Sequence, residues 1–105
     1  MYVQNVDLRD LIKMAMAMLV VKVMPDNVEV DLAKLKEDVE KTITEIYGDV
    51  GEIRTEEEPI AFGLKALNFT FIMDESLGGD IIEEKLNGFE NVASAKVIDF
   101  RRTLG

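Results

Sequence analysis

The side chains best able to do chemistry in this sequence are carboxylates, lysines and arginines, because it contains neither cysteine nor histidine. Their absence excludes a zinc site of the usual kind, a cysteine nucleophile and a Ser-His dyad. Histidine is also the commonest general base at neutral pH. The two serines, Ser76 and Ser94, lie outside any G-x-S-x-G setting. We therefore predict a protein that is not an enzyme and has no catalytic residues.

The densest run of acidic residues is Glu56-Glu57-Glu58. Consecutive side chains of an extended strand point to alternate faces, so the three carboxylates cannot converge on one ion. Neither a G-x-x-x-x-G-K-[ST] phosphate loop nor a G-x-G-x-x-G nucleotide motif is present. The sequence therefore predicts no metal site and no cofactor.

The net charge of −9 constrains the choice of partner. Nucleic-acid binding depends on Lys and Arg to neutralise phosphates, so direct binding to DNA or RNA is disfavoured. A basic protein partner, steered by charge, fits better. The longest apolar run extends only from Met14 to Val21, well short of the ~20 residues that span a bilayer, and we predict a cytoplasmic protein with no membrane segment.

The elements that must position any site follow from hydrophobic spacing. Residues 19–24 form a run rich in β-branched valine, which predicts a buried strand. Asp31 is the candidate N-cap of a helix that has apolar residues at helical spacing and ends at Gly48. Residues 50–58 predict a polar edge strand closed by Pro59.

The second half repeats the alternation of strand and helix. Residues 66–73 alternate between apolar and polar positions, which predicts a strand with one buried face. Asp80 and Glu83 have the spacing of a capping box and predict the start of a short helix that ends near Asn87-Gly88. Residues 92–100 predict the last strand.

The order strand-helix-strand-strand-helix-strand predicts an α+β, ferredoxin-like βαββαβ sandwich. Its four-stranded antiparallel sheet has two helices on one face, and strands three and four flank strand one. Residues 1–17 differ from the rest and are predicted to be an N-terminal extension, with the domain itself at 18–105. Because such a fold serves many activities, function must come from particular residues.

Four separated blocks of the sequence resemble the archaeal elongation factor 1-beta family, in the order that the family has them. The match runs from about Met18 to the C-terminus. The blocks are Lys22-Val23-Met24-Pro25 with Val30-Asp31-Leu32, Glu57-Glu58-Pro59-Ile60-Ala61-Phe62-Gly63-Leu64-Lys65-Ala66-Leu67, Gly78-Gly79, and Val97-Ile98-Asp99-Phe100-Arg101-Arg102.

The resemblance implies a guanine nucleotide exchange factor that promotes GDP release from elongation factor 1-alpha. In the related eukaryotic factors, an aromatic residue before strand three packs on the GTPase, and a basic residue near the C-terminus reaches toward its magnesium site. The matching positions here are Phe62, within Ala61-Phe62-Gly63, and Arg102, with Arg101 as the alternative. The eukaryotic pattern has Lys where this chain has Arg. Lys65 is a further candidate contact.

Other interpretations of these residues remain open at this point. Phe62 can pack under its own sheet, and the two arginines can be a solvated basic end. A small-molecule-binding regulatory module of the same fold is the alternative function. An acylphosphatase-like enzyme is a second rival, but it needs an Arg in the loop after strand one, and residues 23–28 contain none.

Overall fold

The computed structural model describes residues 15–104 and contains the six predicted elements in the predicted order. It also contains a short 3-10 helix, Glu75–Leu77, between the third strand and the second helix. Within the described residues, no helix is long and apolar enough to cross a membrane. The elements are β1 (Ala15–Pro25), α1 (Leu32–Tyr47), β2 (Arg54–Pro59), β3 (Lys65–Asp74), α2 (Asp80–Asn87) and β4 (Val92–Leu104).

The strands form one four-stranded sheet in the order β2-β3-β1-β4. Each neighbouring pair is antiparallel, so β3 and β4 run parallel to each other on either side of β1. This order confirms the predicted α+β, ferredoxin-like sandwich. It also confirms that the polar strand β2 lies at an edge of the sheet.

The core lies between one face of the sheet and the two helices. Alternate residues of β1 and β3 are buried, as the period-2 pattern predicts. Both helices contribute an apolar stripe that covers this face. The largest fully buried side chains are Leu19, Val21, Val23, Leu35, Val39, Ile43, Phe69, Phe71, Met73, Ile82 and Leu86.

Helix α1 has the ends that the sequence predicts. The Asp31 carboxylate accepts hydrogen bonds from the backbone N–H groups of Ala33, at 3.0 Å, and Lys34, at 3.2 Å. Gly48 follows the last turn with a φ of 80°, and its N–H donates to the Thr44 carbonyl at 2.8 Å. A left-handed φ at this position favours glycine, so the helix ends here for a steric reason.

Three predicted boundaries differ from the structure. Strand β2 begins at Arg54 rather than at residue 50, because Gly51 has a φ of 74° and its N–H bonds to the Asp49 side chain at 2.9 Å. Strand β4 continues to Leu104, so Arg101 and Arg102 lie within the strand rather than after it. Of the predicted extension 1–17, residues 15–17 belong to β1, and the rest lies outside the described residues.

The predicted capping box at the start of α2 is wrong. Gly79 occupies the N-cap position, and no side chain caps this helix. The Glu83 carboxylate instead accepts a hydrogen bond from the Val97 N–H at 2.6 Å. The register of β4 against β1 shifts at Val97, so a bulge accompanies this contact. Glu83 thus binds a backbone donor on the side of β4 that faces away from β1.

Asn87 protects the same edge of the sheet one helical turn later. Its amide oxygen accepts from the Ala95 N–H at 2.9 Å, and its amide nitrogen donates to the Ala95 carbonyl at 3.0 Å. The side chain therefore takes the place of a neighbouring strand. Edge strands are often protected in this way against pairing with other chains.

We expect Asn87→Ala to lower the free energy of unfolding by about 1–2 kcal/mol, because it removes both bonds to Ala95. Urea unfolding monitored by circular dichroism measures the change. Lys85→Ala, an exposed substitution on the same helix, is the control and should change stability by less than about 0.5 kcal/mol. Equal stability of the two variants would show that the hydrogen bonds between Asn87 and Ala95 do not stabilise the fold.

Candidate functional site

Phe62 lies at the tip of the β2–β3 hairpin, in a turn of unusual geometry. The Leu64 N–H donates to the Ala61 carbonyl at 3.0 Å and closes the turn. The two central residues, Phe62 and Gly63, have φ angles of 56° and 82°. Positive φ at both positions is the mark of a type I′ turn, whose usual first residue is Asn, Asp or Gly.

The conformation of Phe62 is energetically unfavourable. Within residues 15–104 it is the one non-glycine residue with a positive φ. For a residue with a Cβ, this conformation costs roughly 1–2 kcal/mol. The side chain is 98% exposed, so packing within the domain does not offset the cost. Such strained residues cluster at functional sites, which makes Phe62 the strongest candidate in the chain for contact with a partner.

Two further apolar residues are exposed at the same end of the molecule. Val28 is 62% exposed and Ile60 is 38% exposed. A Cβ on Gly63 would stand 3.8 Å from Val28 Cγ1, so the hairpin tip lies against the loop between β1 and α1. We call Val28, Ile60 and Phe62 the apolar tip. Lys65, beside it, pairs loosely with Glu57 at 3.6 Å.

Arg101 and Arg102 lie at the other end of the sheet. Arg102 is opposite Ala17 and Arg101 is opposite Met18, so the two side chains point to opposite faces, as the alternation predicts. Arg102 Nε is 2.8 Å from Glu75 Oε2 on the helix-covered side. Arg101 Nε is 3.1 Å from Asp99 Oδ2 on the uncovered side. Both guanidinium groups remain largely exposed.

The strand register sets the separation of the two candidate contacts. Strand β1 pairs with Arg102 at Ala17 and with Leu67 at Val23, and the hairpin continues beyond Leu67 to Phe62. At about 3.3 Å per residue, Phe62 and Arg102 lie about 30 Å apart. The structure therefore holds Phe62, Gly63 and Lys65 at one end and the two arginines at the other, with a rigid sheet between them.

The acidic run of β2 does not form a metal site. Among the described residues, no three acidic side chains are grouped closely enough to hold an ion. Glu58 instead accepts a hydrogen bond from the Asn68 amide at 2.9 Å and pairs with Lys22 at 3.4 Å. The Asn68 hydrogen bond, and then Lys22, hold the pKa of the Glu58 carboxyl below its ordinary value.

Tyr47 and Glu75 are residues near the arginine end that sequence reasoning missed. The Tyr47 hydroxyl donates to the Gly78 carbonyl at 2.8 Å, and its ring centroid lies 5.5 Å from that of Phe71. This contact ties the end of α1 to the segment that carries Glu75. No local motif signals either role, because each depends on contacts between distant parts of the chain.

Burial raises the pKa of the Tyr47 hydroxyl to about 12 from 10.0, and the nearby Asp80 carboxylate adds to the rise. A group whose pKa is raised by folding stabilises the fold below its unfolded pKa and loses that contribution as the pH rises through the folded value. We therefore expect the stability advantage of wild type over Tyr47→Phe to shrink between pH 10 and 12. Chemical denaturation across this range measures it, and a constant advantage would contradict the assignment.

Comparison with known proteins identifies the family to which this arrangement belongs. The model of the EF-1 guanine nucleotide exchange domain matches residues 18–103. The chain belongs to this family. Guanine nucleotide exchange in translation elongation is therefore its function.

Similar curated proteins of this exchange-domain family come from several archaea. Elongation factor 1-beta of Methanosphaera stadtmanae is 44% identical over 86 residues, which cover 81% of this chain and 93% of the relative. Elongation factor 1-beta of Sulfolobus acidocaldarius is 39% identical over 87 residues, covering 81% and 93%. That of Pyrococcus abyssi is 44% identical over 80 residues, covering 74% and 85%. The match to archaeal elongation factor 1-beta predicted from sequence blocks is thus confirmed.

Proposed function

We propose that this exchange factor accelerates GDP release from elongation factor 1-alpha by binding the GTPase at two distant points. The observation that carries the proposal is the exposed, left-handed Phe62 at the hairpin tip. Aromatic side chains that fill a partner's pocket dominate binding energies at interfaces. Phe62 is the anchor, and Gly63 and Lys65 contact the partner beside it.

Arg102 acts at the nucleotide end of the GTPase. A cation that approaches Mg²⁺ competes with it for the oxygens that hold it. Two unit charges about 4 Å apart at an effective dielectric of about 20 interact by roughly 4 kcal/mol. Arg102 would supply such a competing charge beside the magnesium of the GDP-bound GTPase, and so would weaken the hold of the GTPase on GDP. Arg101 points to the opposite face and contacts the GTPase outside this site.

This mechanism makes and breaks no covalent bond, so the factor needs neither a nucleophile nor a cofactor and is not an enzyme. Nucleotide and factor antagonise each other on the GTPase, and thermodynamic linkage makes that antagonism reciprocal. The net charge of −9 favours approach to a basic protein surface and disfavours direct contact with nucleic acid. Since translation elongation takes place on ribosomes, the proposal is for a cytoplasmic protein.

The test is the release of fluorescent GDP from the cognate elongation factor 1-alpha, chased with excess unlabelled GTP. We expect wild type to accelerate release in proportion to its concentration until the GTPase is saturated. Fluorescence melting of the factor with added amino acids or nucleotides serves as a control for the alternative, a small-molecule-binding module. Unchanged GDP release at saturating factor would exclude the proposed partner.

A further inference from the structure

The segment between β3 and α2 is fixed to the rest of the domain at both of its ends. At its start, the Asp74 carboxylate accepts from the Ser76 N–H at 3.0 Å and from the Ser76 hydroxyl at 2.8 Å. The bond from the Ser76 N–H, and then that from its hydroxyl, hold the pKa of the Asp74 carboxyl below its ordinary value. Glu75 lies between these two residues, so its backbone position is set locally.

The end of the segment is held by α1 and by the sheet. The Tyr47 hydroxyl binds the Gly78 carbonyl at 2.8 Å. Gly79 packs so closely on the sheet that an added Cβ would lie 3.1 Å from Val97 Cγ2 and 3.2 Å from Leu19 Cδ1. Glu75 therefore sits on a short 3-10 helix with little freedom to move, which makes it a firm support for another side chain.

The contact between Glu75 and Arg102 uses one particular edge of the guanidinium. Glu75 Oε2 lies 2.8 Å from Arg102 Nε, and the Glu75 side chain is 24% exposed whereas that of Arg102 is 76% exposed. A guanidinium has five N–H donors, of which Nε carries one. The ion pair with Glu75 is therefore made at Nε, on the inner edge of the guanidinium. The other four N–H donors lie on the two terminal nitrogens, at the outer end of the side chain.

Arg101 lacks comparable support. Its partner, Asp99, is two residues away on the same strand, and the pair lies at the surface. The carboxylate that holds Arg101 is therefore not fixed by a second element of the fold. The two arginines are similarly exposed, and they differ in how firmly the rest of the fold holds the carboxylate that pairs with each.

We propose that Glu75 is a positioning residue for exchange: it holds Arg102 by Nε, so that the terminal nitrogens point outward to the oxygen ligands around the GTPase's magnesium. This inference rests on the function proposed above. An arginine side chain has many rotamers, and fixing it beforehand reduces the entropy lost when the guanidinium engages the oxygens around magnesium in the step that releases GDP. Glu75 itself touches neither the nucleotide nor the metal.

The test compares two substitutions at residue 75 in two backgrounds, with maximal GDP release at saturating factor as the readout. In the Arg102 background we expect Glu75→Ala to lower the maximal rate by about threefold, the scale of an exposed ion pair. Glu75→Gln should retain part of the rate, since an amide oxygen still accepts from Nε. Glu84→Ala, an exposed carboxylate of α2, is the matched control and should match wild type.

In the Arg102→Lys background, Glu75→Ala should raise the maximal rate of GDP release instead of lowering it. A lysine ammonium is a single point charge, so it binds either Glu75 or the partner but not both well. Arg102→Lys alone should lower the maximal rate, and adding Glu75→Ala should raise it again by about threefold. If Glu75 had only a structural role, Glu75→Ala would lower the maximal rate of GDP release in both backgrounds. The direction of the change in the Arg102→Lys background therefore distinguishes the two roles.

Two results overturn the inference. A wild-type or faster rate for Glu75→Ala in the Arg102 background means that Glu75 does not position the arginine. A loss in both backgrounds means that Glu75 only supports the fold. The proposed function fails separately, when wild type does not accelerate GDP release at saturating concentration. Full activity of Arg102→Ala would remove only the role of Arg102 against magnesium.

Discussion

Phe62→Asn is expected to make the protein more stable and to weaken its binding to the GTPase about thirtyfold. Asn adopts the left-handed conformation of a type I′ turn more readily than Phe, so the free energy of unfolding should rise by about 0.5–1 kcal/mol. The 98% exposed ring contributes no core burial whose loss would offset that gain. Removing a buried interface aromatic costs about 2 kcal/mol or more of binding, which is about thirtyfold in affinity.

Phe62→Ala separates the two effects of that substitution. Alanine removes the ring but keeps a Cβ in the left-handed region, so binding should fall by a similar factor while stability rises little or not at all. Isothermal titration and chemical denaturation of the three proteins measure both quantities. Unaltered affinity in both variants would mean that the ring is not the anchor, and a lower stability of Phe62→Asn would mean that the turn is not strained.

Arg102→Ala is expected to lower the maximal rate of GDP release on the order of a hundredfold, about 2.7 kcal/mol, in the presence of Mg²⁺. The reason is that the guanidinium acts against magnesium. With magnesium removed by excess EDTA, wild type and Arg102→Ala should therefore release GDP at similar rates. Stopped-flow fluorescence under the two conditions measures the rates.

Arg101→Ala is the matched control for the loss of one positive charge at the same end of the strand. Its side chain points to the uncovered face of the sheet, opposite Met18, so its effect should be much smaller than that of Arg102→Ala. A deficit of Arg102→Ala that persists undiminished in EDTA would contradict a role against magnesium. Reversal of the order of the two variants would assign that role to Arg101 instead.

The order of elements was predictable because hydrophobic spacing and helix ends are local. Asp31 and Gly48 mark the ends of α1 within the sequence itself, and β3 shows its buried face by strict alternation. The capping box failed because Glu83 has a stronger partner at Val97, 14 residues away. That partner lies beside a register shift in β4, and no local residue pattern reveals the shift.

The residues proposed for the site came from the family resemblance, whereas the geometry around them was not predictable. The family resemblance indicated Phe62 and Arg102, yet the type I′ turn lacks the usual Asn-Gly or Asp-Gly signature. The Glu75–Arg102 pair depends on the register of β4 against β1 and on the 3-10 helix after β3. The register between β1 and β4, which are far apart in the sequence, cannot be predicted from local propensity.

The rigidity of the sheet explains how two contacts about 30 Å apart can cooperate. In the proposed mechanism, binding energy gained by Phe62 at one end places Arg102 at a defined position at the other, because the strands between them do not bend. Strand β1 is central, and its buried residues pack on both flanking strands and on the helices. The proposed partner would therefore bind two points held at a fixed separation.

The proposal assigns binding to Phe62 and nucleotide release to Arg102. Titration of wild type, Phe62→Ala and Arg102→Ala against a GDP-loaded elongation factor 1-alpha tests this separation most directly. For Phe62→Ala we predict a half-saturating concentration raised by about thirtyfold and the wild-type maximal rate. For Arg102→Ala we predict the wild-type half-saturating concentration and a strongly reduced maximal rate. If both substitutions changed the same parameter, the two ends would form a single binding surface and the separation of anchoring from nucleotide release would be wrong.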